Sequence, residues 1–435
     1  MSNSITSPFG ELPSDWVYQP VVNYVEFLTG PAFDSSKFNT DRFGARLVRG
    51  INLTRGATRW AEEKTKYWNV NLEELKKFQL AEMDILIGMD GSLVGKNYAY
   101  LKKSDLPALL VQRVARLRAK EQLDSKYLYY MYGTDSWVDY VEIVKTSSGI
   151  PHISNGDIKN FLFPFPPLPE QKKIAAILTS VDDVIEKTQA QIDKLKDLKT
   201  GMMQELLTRG VGVDGKPHTE FKDSLVGRIP KGWEVVKLGD KASLIPGFAF
   251  KSTDFVANGV PLIRMGNLYN NKLDLTRAPK YLPFDYIEKH PKFAVREGDI
   301  VFSMTGTSGK EDYGFAVQVP NGTKSCLLNQ RVAKVIAGEN AVNNFLLHLM
   351  RSRLFLDEIY AVGTGTKQAN LSSANILNVV LPFPSLGEQT AISKVLDSIE
   401  GRVLVVAKKL EKLKLKKKAL MQDLLTGKKR VKVDG

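Results

Sequence analysis

The hydrophobic pattern of the chain is clearest in two long stretches, residues 166–209 and 384–427. There, apolar side chains recur at alternating spacings of four and three residues, which is typical of the seam between paired helices. Prolines at 166, 167 and 169 mark the start of the first stretch and Gly210 follows its end, as expected at helix boundaries. Thr188, Lys199 and Lys417 are the polar exceptions. The seam positions are Ile174, Leu178, Val181, Ile185, Thr188, Ile192, Leu195, Lys199, Met202 and Leu206, then Ile392, Leu396, Ile399, Val403, Val406, Leu410, Leu413, Lys417, Leu420 and Leu424.

Both stretches lie inside a longer internal repeat. Residues 164–208 and 382–426 align without a gap at a shift of 218 and are identical at 18 of 45 positions. Each copy begins with PFP and Glu-Gln and ends with Leu-Leu-Thr. Weaker echoes precede each copy, such as DILIGMDGSLVGK (84–96) and DIVFSMTGTSGK (299–310). A period this long indicates duplicated domains and not a solenoid, whose repeats are roughly 20–50 residues long.

The duplication divides the chain into globular domains and long helices. The stretches between the repeated segments diverge, notably residues 54–80 against 269–295. A shared scaffold with divergent inserts presents two different binding surfaces in equivalent positions. The predicted boundaries are a globular domain at 1–165, a helix at 166–209, a linker at 210–228, a second globular domain at 229–383, a second helix at 384–427 and a basic tail at 428–435.

The matched seams predict that the two helices pair with each other, although a helix packed only on its own domain would show a similar pattern. The helical part of the first stretch, from Glu170 to Leu207, has about 38 residues and is about 57 Å long at ~1.5 Å per residue. For parallel pairing, a linker of about 20 residues would have to be almost fully extended, at ~3.3 Å per residue. Antiparallel pairing needs no such extension, and we therefore predict it.

These inferences define the fold class as α+β. Two mixed α/β domains are separated by two long antiparallel coiled-coil helices, with a pseudo-two-fold internal repeat. The backbone of double-stranded DNA also has two-fold symmetry. Two such domains joined by a helical spacer are therefore suited to bind two separated half-sites. The helices would then set the distance between the half-sites, and each domain would set the sequence that it reads.

The charge of the chain supports a polyanionic partner only weakly. The net charge is +13, and residues 408–432 contribute 11 basic against two acidic side chains. Such a segment binds phosphate without sequence preference. Cys326 is the one cysteine, which excludes an intrachain disulfide and a cysteine-based zinc cluster and fits a reducing compartment. No leader pattern and no bilayer-length apolar run are visible, so we expect a soluble cytoplasmic protein.

The sequence shows no recognisable catalytic motif, so we predict that the chain is not itself an enzyme. GSLVGKN (91–97) and GTSGKED (306–312) resemble phosphate-binding loops, but their glycine spacing is short and no hydroxyl residue follows the lysine. These turns are either structural or present hydroxyls and a lysine to DNA. Asp84 and Asp299 lack the acid-x-lysine partner of a nuclease, so turn capping is favoured. The four histidines show no metal-ligand spacing, and no adenine-methyltransferase motif is present.

With these features together, the chain resembles the specificity subunit of type I restriction–modification systems over essentially its whole length. The order of recognition domain, conserved helix, second recognition domain and second conserved helix is that of the family. Gly387 departs from the family's proline, and residues 16–33 are less regular than their counterpart. The matching residues are Pro164–Gln171 with Met203–Thr208, Pro382–Gln389 with Met421–Thr426, and the starts at Trp16 and Trp233.

The resemblance implies partners that carry out the chemistry. Two methyltransferase subunits would bind the helices and the recognition domains and would methylate an adenine in each half-site with S-adenosylmethionine. Restriction subunits would join them and use ATP and Mg to translocate and cut unmodified DNA. This chain itself would bind double-stranded DNA. It would bind no cofactor, no metal and no membrane.

The candidate DNA-binding residues are polar side chains on equivalent loops of the two recognition domains, which the resemblance places in the major groove. Arginine suits guanine edges and Asn or Gln suits adenine edges, at ~1–3 kcal/mol of discrimination for a good bidentate pair. Residues shared by both copies should serve the scaffold or phosphate, because the two domains should read different bases. The shared pairs are Arg49/Arg264, Asn52/Asn267, Gln112/Gln330 and Arg113/Arg331. The candidates are Arg46, Arg49, Asn52, Arg55, Arg59, Ser92, Lys96, Arg113, Arg264, Asn267, Asn270, Asn271, Thr307, Ser308, Lys310, Arg331, Thr364, Lys367 and Gln368.

Two other classes of protein remain open on the sequence alone. One is an architectural coiled-coil protein whose basic tail coats DNA of any sequence. Binding that is competed equally by every DNA would favour it. The other is an enzyme with an unrecognised site, for which activity of the isolated chain would be the evidence.

Overall fold

A computed structural model of the chain describes residues 6–7, 9–70, 72–146, 149–362 and 368–432. The chain forms two compact units, which we call the first unit (Met1–Ala190 with Lys408–Gly435) and the second unit (Gln191–Ala407). Each unit therefore contains one globular region and part of both long helices. The predicted boundaries, which set the helices apart from the globular regions, stay a prediction. Among the described helices, none combines the length and the apolar character needed to cross a bilayer.

The globular part of the first unit is organised around a mixed five-stranded sheet. Its middle strand is buried on both faces: Ile85 and Ile87 pack into a core that includes Leu128, whereas Leu86 packs into a separate core with Leu110. Strands covered on both faces read as continuous apolar runs, which explains the sequence ILIG at this position. In spatial order the strands are Val25–Thr29, Val114–Ala119, Ile85–Gly88, Tyr98–Tyr100 and Arg55–Gly56.

Smaller elements complete the first unit. A three-stranded sheet has the order Ala108–Leu110, Ala45–Val48 and Tyr67–Trp68, with the first two strands parallel. Two-stranded sheets join Leu162–Phe165 to Val17–Pro20 and Thr6–Ser7 to Gly10–Glu11. The short helices are Ser125–Met131, Asp135–Val144 and Asn155–Asn160.

The second unit repeats this architecture. Its main sheet has the order Ala242–Pro246, Val332–Ala337, Ile300–Ser303 and Ala316–Gln318, and a further sheet has the order Tyr281–Leu282, Val260–Ile263, Cys326–Leu328 and Ala294–Val295. Two-stranded sheets pair Glu234–Lys237 with Val380–Phe383, Phe221–Ser224 with Gly227–Pro230, Leu268–Tyr269 with Lys272–Leu273, and Thr305–Thr307 with Gln368–Asn370. The short helices are Tyr286–Lys289, Asn343–Met350, Arg353–Val362 and Ser373–Leu377.

The same strand order therefore occurs in both main sheets. Val25–Thr29, Val114–Ala119, Ile85–Gly88 and Tyr98–Tyr100 correspond in order and in antiparallel pairing to the four strands of the second main sheet. The repeat seen in the sequence is thus also a repeat of topology in these four strands, whereas the fifth strand of the first sheet, Arg55–Gly56, lies in the divergent stretch and has no counterpart among the described strands of the second main sheet.

The two long helices span Leu168–Thr208 and Leu386–Leu425 and contain 41 and 40 residues. A glycine with positive φ follows each of them, Gly210 and Gly427, both at φ +70°. Glycine occupies this conformation without the steric cost of a Cβ, so it ends a helix cleanly. All twenty predicted seam positions are buried or half-buried, and none is exposed.

Within each unit the two helix segments run in opposite directions. In the first unit, Lys417 pairs with Asp182 at 2.6 Å, and Leu178 shares a core with Leu424 further along. In the second unit, Lys199 pairs with Glu400 at 2.9 Å, and residues 206–207 share a core with Ile392 and Leu396. In both units, later residues of the first helix therefore contact earlier residues of the second helix, so the two segments are antiparallel.

The polar exceptions of the seam have structural explanations. Lys199 and Lys417 occupy equivalent repeat positions, and their acidic partners, Glu400 and Asp182, are equivalent as well. A charged pair in an apolar seam satisfies its charges only in one register, so it specifies alignment. Thr188 is buried and donates its hydroxyl to the carbonyl oxygen of Val184 at 2.6 Å, which satisfies it within its own helix.

Reversing the charge of one partner should test this role. In Lys417→Glu two carboxylates would face each other across the half-buried seam, and we expect a loss of about 1–2 kcal/mol in the free energy of unfolding. Adding Asp182→Lys should restore most of that loss. Denaturant unfolding of the two single variants and the double variant measures the coupling, and purely additive effects would contradict the pairing.

The repeated Glu-Gln at the start of each helix is explained by contacts inside its unit. The carboxylate of Glu170 is buried and accepts a hydrogen bond from the indole Nε1 of Trp16 at 3.1 Å. The guanidinium of Arg430 donates to both oxygens of Glu170 at 2.8 Å and also to both oxygens of Asp15 at 2.8 Å. These bonds compensate the burial of the Glu170 charge.

In the second unit, the equivalent glutamate, Glu388, accepts a related set of hydrogen bonds. Trp233 donates its Nε1 proton to Glu388 at 2.9 Å, as Trp16 does to Glu170. The imidazole Nε2 of His218 lies 2.7 Å from the other Glu388 oxygen, which also accepts the backbone N–H of Val211 at 3.1 Å. In each unit, therefore, the segment that follows one long helix closes over the start of the other.

The glutamines fix the proline-rich approach to each helix. The Oε1 of Gln171 accepts the N–H of Asp124 at 2.9 Å, and its Nε2 donates to the Pro166 carbonyl at 2.8 Å. Gln389 makes the matching bonds, with the N–H of Val342 and with the Pro384 carbonyl. Each glutamine thus ties the helix start to the globular region of its unit, which explains why this stretch is so similar in the two copies.

Candidate nucleic-acid interface

A platform of three loops forms where the buried middle strand of each main sheet ends. In the first unit, Met89 follows that strand, and its N–H donates to the carbonyl oxygen of Arg113 at 2.9 Å. The Met89 carbonyl accepts the N–H of Ile153 at 3.0 Å. The three segments held together in this way are residues 89–97, 112–113 and 150–153, which we call the first platform.

The second unit builds the same arrangement from equivalent residues. The N–H of Met304 donates to the Arg331 carbonyl at 2.9 Å, and the Met304 carbonyl accepts the N–H of Leu371 at 2.8 Å. We call the described residues 304–310, 330–331 and 368–371 the second platform. Loops at the end of a rigid sheet are where binding residues are commonly placed, because the scaffold fixes their position.

The second platform brings together two loops that lie about 60 residues apart in the chain. Thr305–Thr307 pairs antiparallel with Gln368–Asn370, so Thr307 lies directly opposite Gln368. The Thr307 hydroxyl and N–H both donate to the carboxylate of Asp312 at 2.7 Å, which fixes the loop. Lys310 is exposed and Ser308 half-buried beside it. The candidates Thr364 and Lys367 lie outside the described residues.

The first platform has a matching pair that sequence reasoning missed. Asp90 forms a bridge with His152, at the positions equivalent to Thr305 and Asn370. The imidazole Nδ1 of His152 lies 3.9 Å from an Asp90 oxygen. The repeat shift of 218, which relates His152 to Asn370, was a signal that could have identified this segment.

Beside the first platform, a groove of about 520 Å³ carries two of the predicted arginines. It is lined by Gly50 and Ile51, by the exposed Arg55 and Arg59, and by Leu93 and Asn97. Ser92 is exposed on the adjacent turn, and Lys96 is half-buried there. The surface therefore combines cationic and hydroxyl side chains with an open depression, which suits contact with DNA backbone and base edges.

Two of the candidate arginines are partly engaged within the first unit. Arg46 donates to the Ser104 carbonyl at 2.7 Å and lies over the ring of Trp60 at 5.2 Å. Arg49 donates to the Lys64 carbonyl at 2.5 Å, and partial burial lowers the pKa of its guanidinium. Both side chains are half-buried, so they retain some access to an external partner.

Asn52 and Asn267 are corrected as candidate DNA-binding residues, because both side chains are buried, at 0% and 3% exposure. Their burial agrees with the scaffold role that was the other expectation for residues shared by both copies. The Oδ1 of each accepts the N–H of the arginine three residues earlier, and the Nδ2 donates to a carbonyl across the turn. These bonds hold the short 3₁₀ turns Gly50–Asn52 and Met265–Asn267. The two asparagines therefore shape the loops and do not face a ligand.

The remaining second-unit candidates lie around a tight hairpin. Asn270 and Asn271 have φ values of +50° and +56°, which asparagine tolerates better than most residues. Asn270 is exposed at the tip, whereas the Oδ1 of Asn271 accepts the N–H of Ala316 at 3.1 Å. Arg264 is half-buried at the start of the preceding turn. Of this group, Asn270 has the freest side chain for an external contact.

The two aspartates that precede the buried middle strands, Asp84 and Asp299, have structural roles. Asp84 accepts the N–H of Ala81 at 2.8 Å and makes a two-pronged ion pair with Arg118. Asp299 accepts the N–H of Arg296 at 2.8 Å and pairs with Lys334. The turn-capping interpretation of both aspartates is confirmed.

In the described ranges, no cluster of three or more His, Cys, Asp or Glu side chains is placed to hold a metal ion. Cys326 is fully buried, and its burial raises the pKa of the thiol to about 11, so it is held as the neutral thiol.

The duplicated units, each with a polar and cationic platform on a rigid sheet, define a two-fold repeated class of protein with equivalent surfaces in its two units. The model of the type I restriction modification DNA specificity domain matches residues 33–197 and 230–415. The chain belongs to this family, and the resemblance to its specificity subunits is confirmed.

Individual relatives agree with this assignment. The type I restriction enzyme MjaVIII specificity subunit of Methanocaldococcus jannaschii is 33% identical over 361 residues, covering 82% of this chain and 81% of that protein. The EcoBI specificity subunit of Escherichia coli is 22% identical and covers 89% of this chain and 81% of that protein.

Solved structures show the same fold. The S subunit of a type I restriction-modification system from M. genitalium gives a TM-score of 0.57 at 14% identity, covering 96% of this chain and 99% of that one. A chain from a study of complex assembly in a type I R-M system gives 0.53 at 17% identity, covering 95% and 98%. The predicted α+β class, with two mixed domains and two long helices, is confirmed.

Proposed function

We propose that this chain is the non-catalytic DNA-reading subunit of a type I restriction–modification complex, in which each unit reads one half of a split DNA site. The observation that carries the proposal is the platform built twice on one topology, whose exposed side chains differ apart from a shared Gln-Arg pair. A DNA site made of two identical half-sites would need two identical binding surfaces. Different side chains on equivalent loops instead suit two half-sites of different sequence.

The long helices would set the distance between the two half-sites. The equivalent pairs Lys199–Glu400 and Lys417–Asp182 support this role, because each fixes the alignment of the helices within its unit. A fixed alignment is what a molecular spacer requires, since slippage by one heptad would change its length.

Docking of two methyltransferase subunits is supported by two grooves at equivalent positions. One, of about 830 Å³ in the second unit, is lined by Met203, Gln204 and Thr208; the other, of about 580 Å³ in the first unit, includes Met421 and Gln422. These residues belong to the repeated helix ends. Matching surfaces made by matching residues suit two copies of one partner. S-adenosylmethionine, ATP and Mg would be used by the methyltransferase and restriction subunits.

Mapping methylated adenines across the host genome, with and without this gene, tests the proposal directly. We expect a set of adenines in one split sequence to lose methylation when the gene is deleted, and the purified chain alone neither to methylate nor to cleave DNA. Copurification with a methyltransferase subunit is the second expected result. Methylation that is unchanged by the deletion would contradict the proposal.

A further inference from the structure

Arg113 and Arg331 occupy equivalent turns, one in each platform, and share an unusual backbone conformation. Their φ values are +68° and +73°, in the left-handed region that favours glycine. The turn needs this conformation because each arginine carbonyl accepts the N–H of the residue after the buried strand. That requirement explains the backbone but not the side chain, since glycine would meet it with less strain.

A second left-handed turn, also present in both copies, shows which residues the chain uses where no particular side chain is kept. Met83 at φ +72° and Gly298 at φ +83° precede the equivalent buried strands, and there one copy uses glycine. At the platform turn, both copies keep arginine and the glutamine before it.

Packing does not account for the two arginines. Both are exposed, as are Gln112 and Gln330 before them. The Nε of Arg113 lies 3.4 Å from Asp90, and 63% of its side chain is exposed. In the described part of the second unit, the guanidinium of Arg331 makes no hydrogen bond or ion pair, and a threonine stands where Asp90 would be. An exposed arginine that both copies keep on a strained backbone points to a partner outside the chain.

The nature of that partner follows from the comparison of the two platforms. Apart from Gln112 and Gln330, their other exposed side chains differ, as expected for surfaces that contact different bases. What two DNA half-sites have in common is the phosphate backbone, and arginine binds phosphate oxygens in a planar, two-pronged geometry. Resting on the proposed function, we propose that Arg113 and Arg331 are matched phosphate contacts that position each unit on DNA regardless of the bases it reads.

Replacement by glycine separates binding from folding. In Arg113→Gly and Arg331→Gly the strain is relieved, so the melting temperature should be unchanged or higher. Each substitution should weaken binding by about ten-fold on every DNA and reduce the slope of log affinity against log salt concentration by about one. The full-length chain, copurified with its methyltransferase partner, would be titrated with a duplex that carries the methylated split site and with a scrambled duplex, over a range of NaCl concentrations.

Arg42→Gly is the matched control. Arg42 is also an exposed arginine with positive φ, at +60°, but its ion pair is with Glu62 and the second copy has no counterpart. We expect this variant to keep the wild-type affinity and salt slope.

Each outcome decides the matter. Unchanged salt slopes in the platform variants would overturn the proposal, and so would a changed ratio between split-site and scrambled affinities, because that ratio reports base reading. If the glycine variants do not fold, Arg113→Lys should keep the slope and Arg113→Gln should lose it; equal slopes would refute the contact. A wild-type complex without preference for the split site would defeat the proposed function alone, because the slopes remain measurable on scrambled DNA.

Discussion

Leu195→Asp should destabilise the chain by about 4 kcal/mol, because it places an unpaired carboxylate in the seam. Leu195 is 7% exposed and lies in the second unit, between Ile192 and the Lys199–Glu400 pair. If the helices space the two reading surfaces, methylation should fall at both halves of the split site together. Denaturant unfolding measures the first effect, and methylation of each half-site measures the second.

Leu198→Asp is the matched control for this substitution. Leu198 lies three residues along the same helix but is 46% exposed, so its charge would remain in water and the expected loss is below about 0.5 kcal/mol. Leu413→Asp, at a half-buried seam position of the first unit, should fall between the two. Wild-type methylation in Leu195→Asp would show that the seam does not support DNA reading.

Inserting one heptad into each long helix should lengthen the gap between the half-sites by about three base pairs and leave their sequences unchanged. Seven residues add about 10 Å of helix at ~1.5 Å per residue, and DNA rises about 3.4 Å per base pair. Duplicating residues 184–190 and 401–407 places the insertions next to the boundaries of the units and preserves the spacing of the seam. Genome-wide mapping of methylated adenines reads out the new site.

An insertion in only one helix is the control for the double insertion. It should break the match of Lys199 with Glu400 or of Lys417 with Asp182, because one helix becomes longer than its partner. We expect little methylation from that variant. A change in the half-site sequences of the double insertion, or an unchanged gap, would contradict the spacer role.

The sequence predicts the long helices and the duplicated fold well because both depend on patterns that persist over many residues. The seam spacing averages over ten positions per helix, so three polar exceptions do not hide it. The exceptions themselves become understandable only when the helices are seen together, since Lys199 and Glu400 are 201 residues apart in the chain.

The candidate interface is harder to predict, because the fate of a polar side chain depends on contacts that local sequence does not encode. Asn52 and Arg55 are equally polar and three residues apart, yet one is buried in a turn and the other is exposed. The pairing of Asp90 with His152 joins loops 62 residues apart. The left-handed turns at Arg113 and Arg331 carry no glycine that would have revealed them.

The contribution of the second long helix to the first unit bears on how the chain folds during its synthesis. Leu424 and Leu425 belong to the core of the first unit, and Arg430 neutralises its buried Glu170. The second unit, by contrast, is one uninterrupted segment, so all of its residues leave the ribosome before the first unit can be completed. A chain released before Leu425 would therefore carry one finished unit and one lacking part of its core, and incomplete products would be disabled for reading a split site.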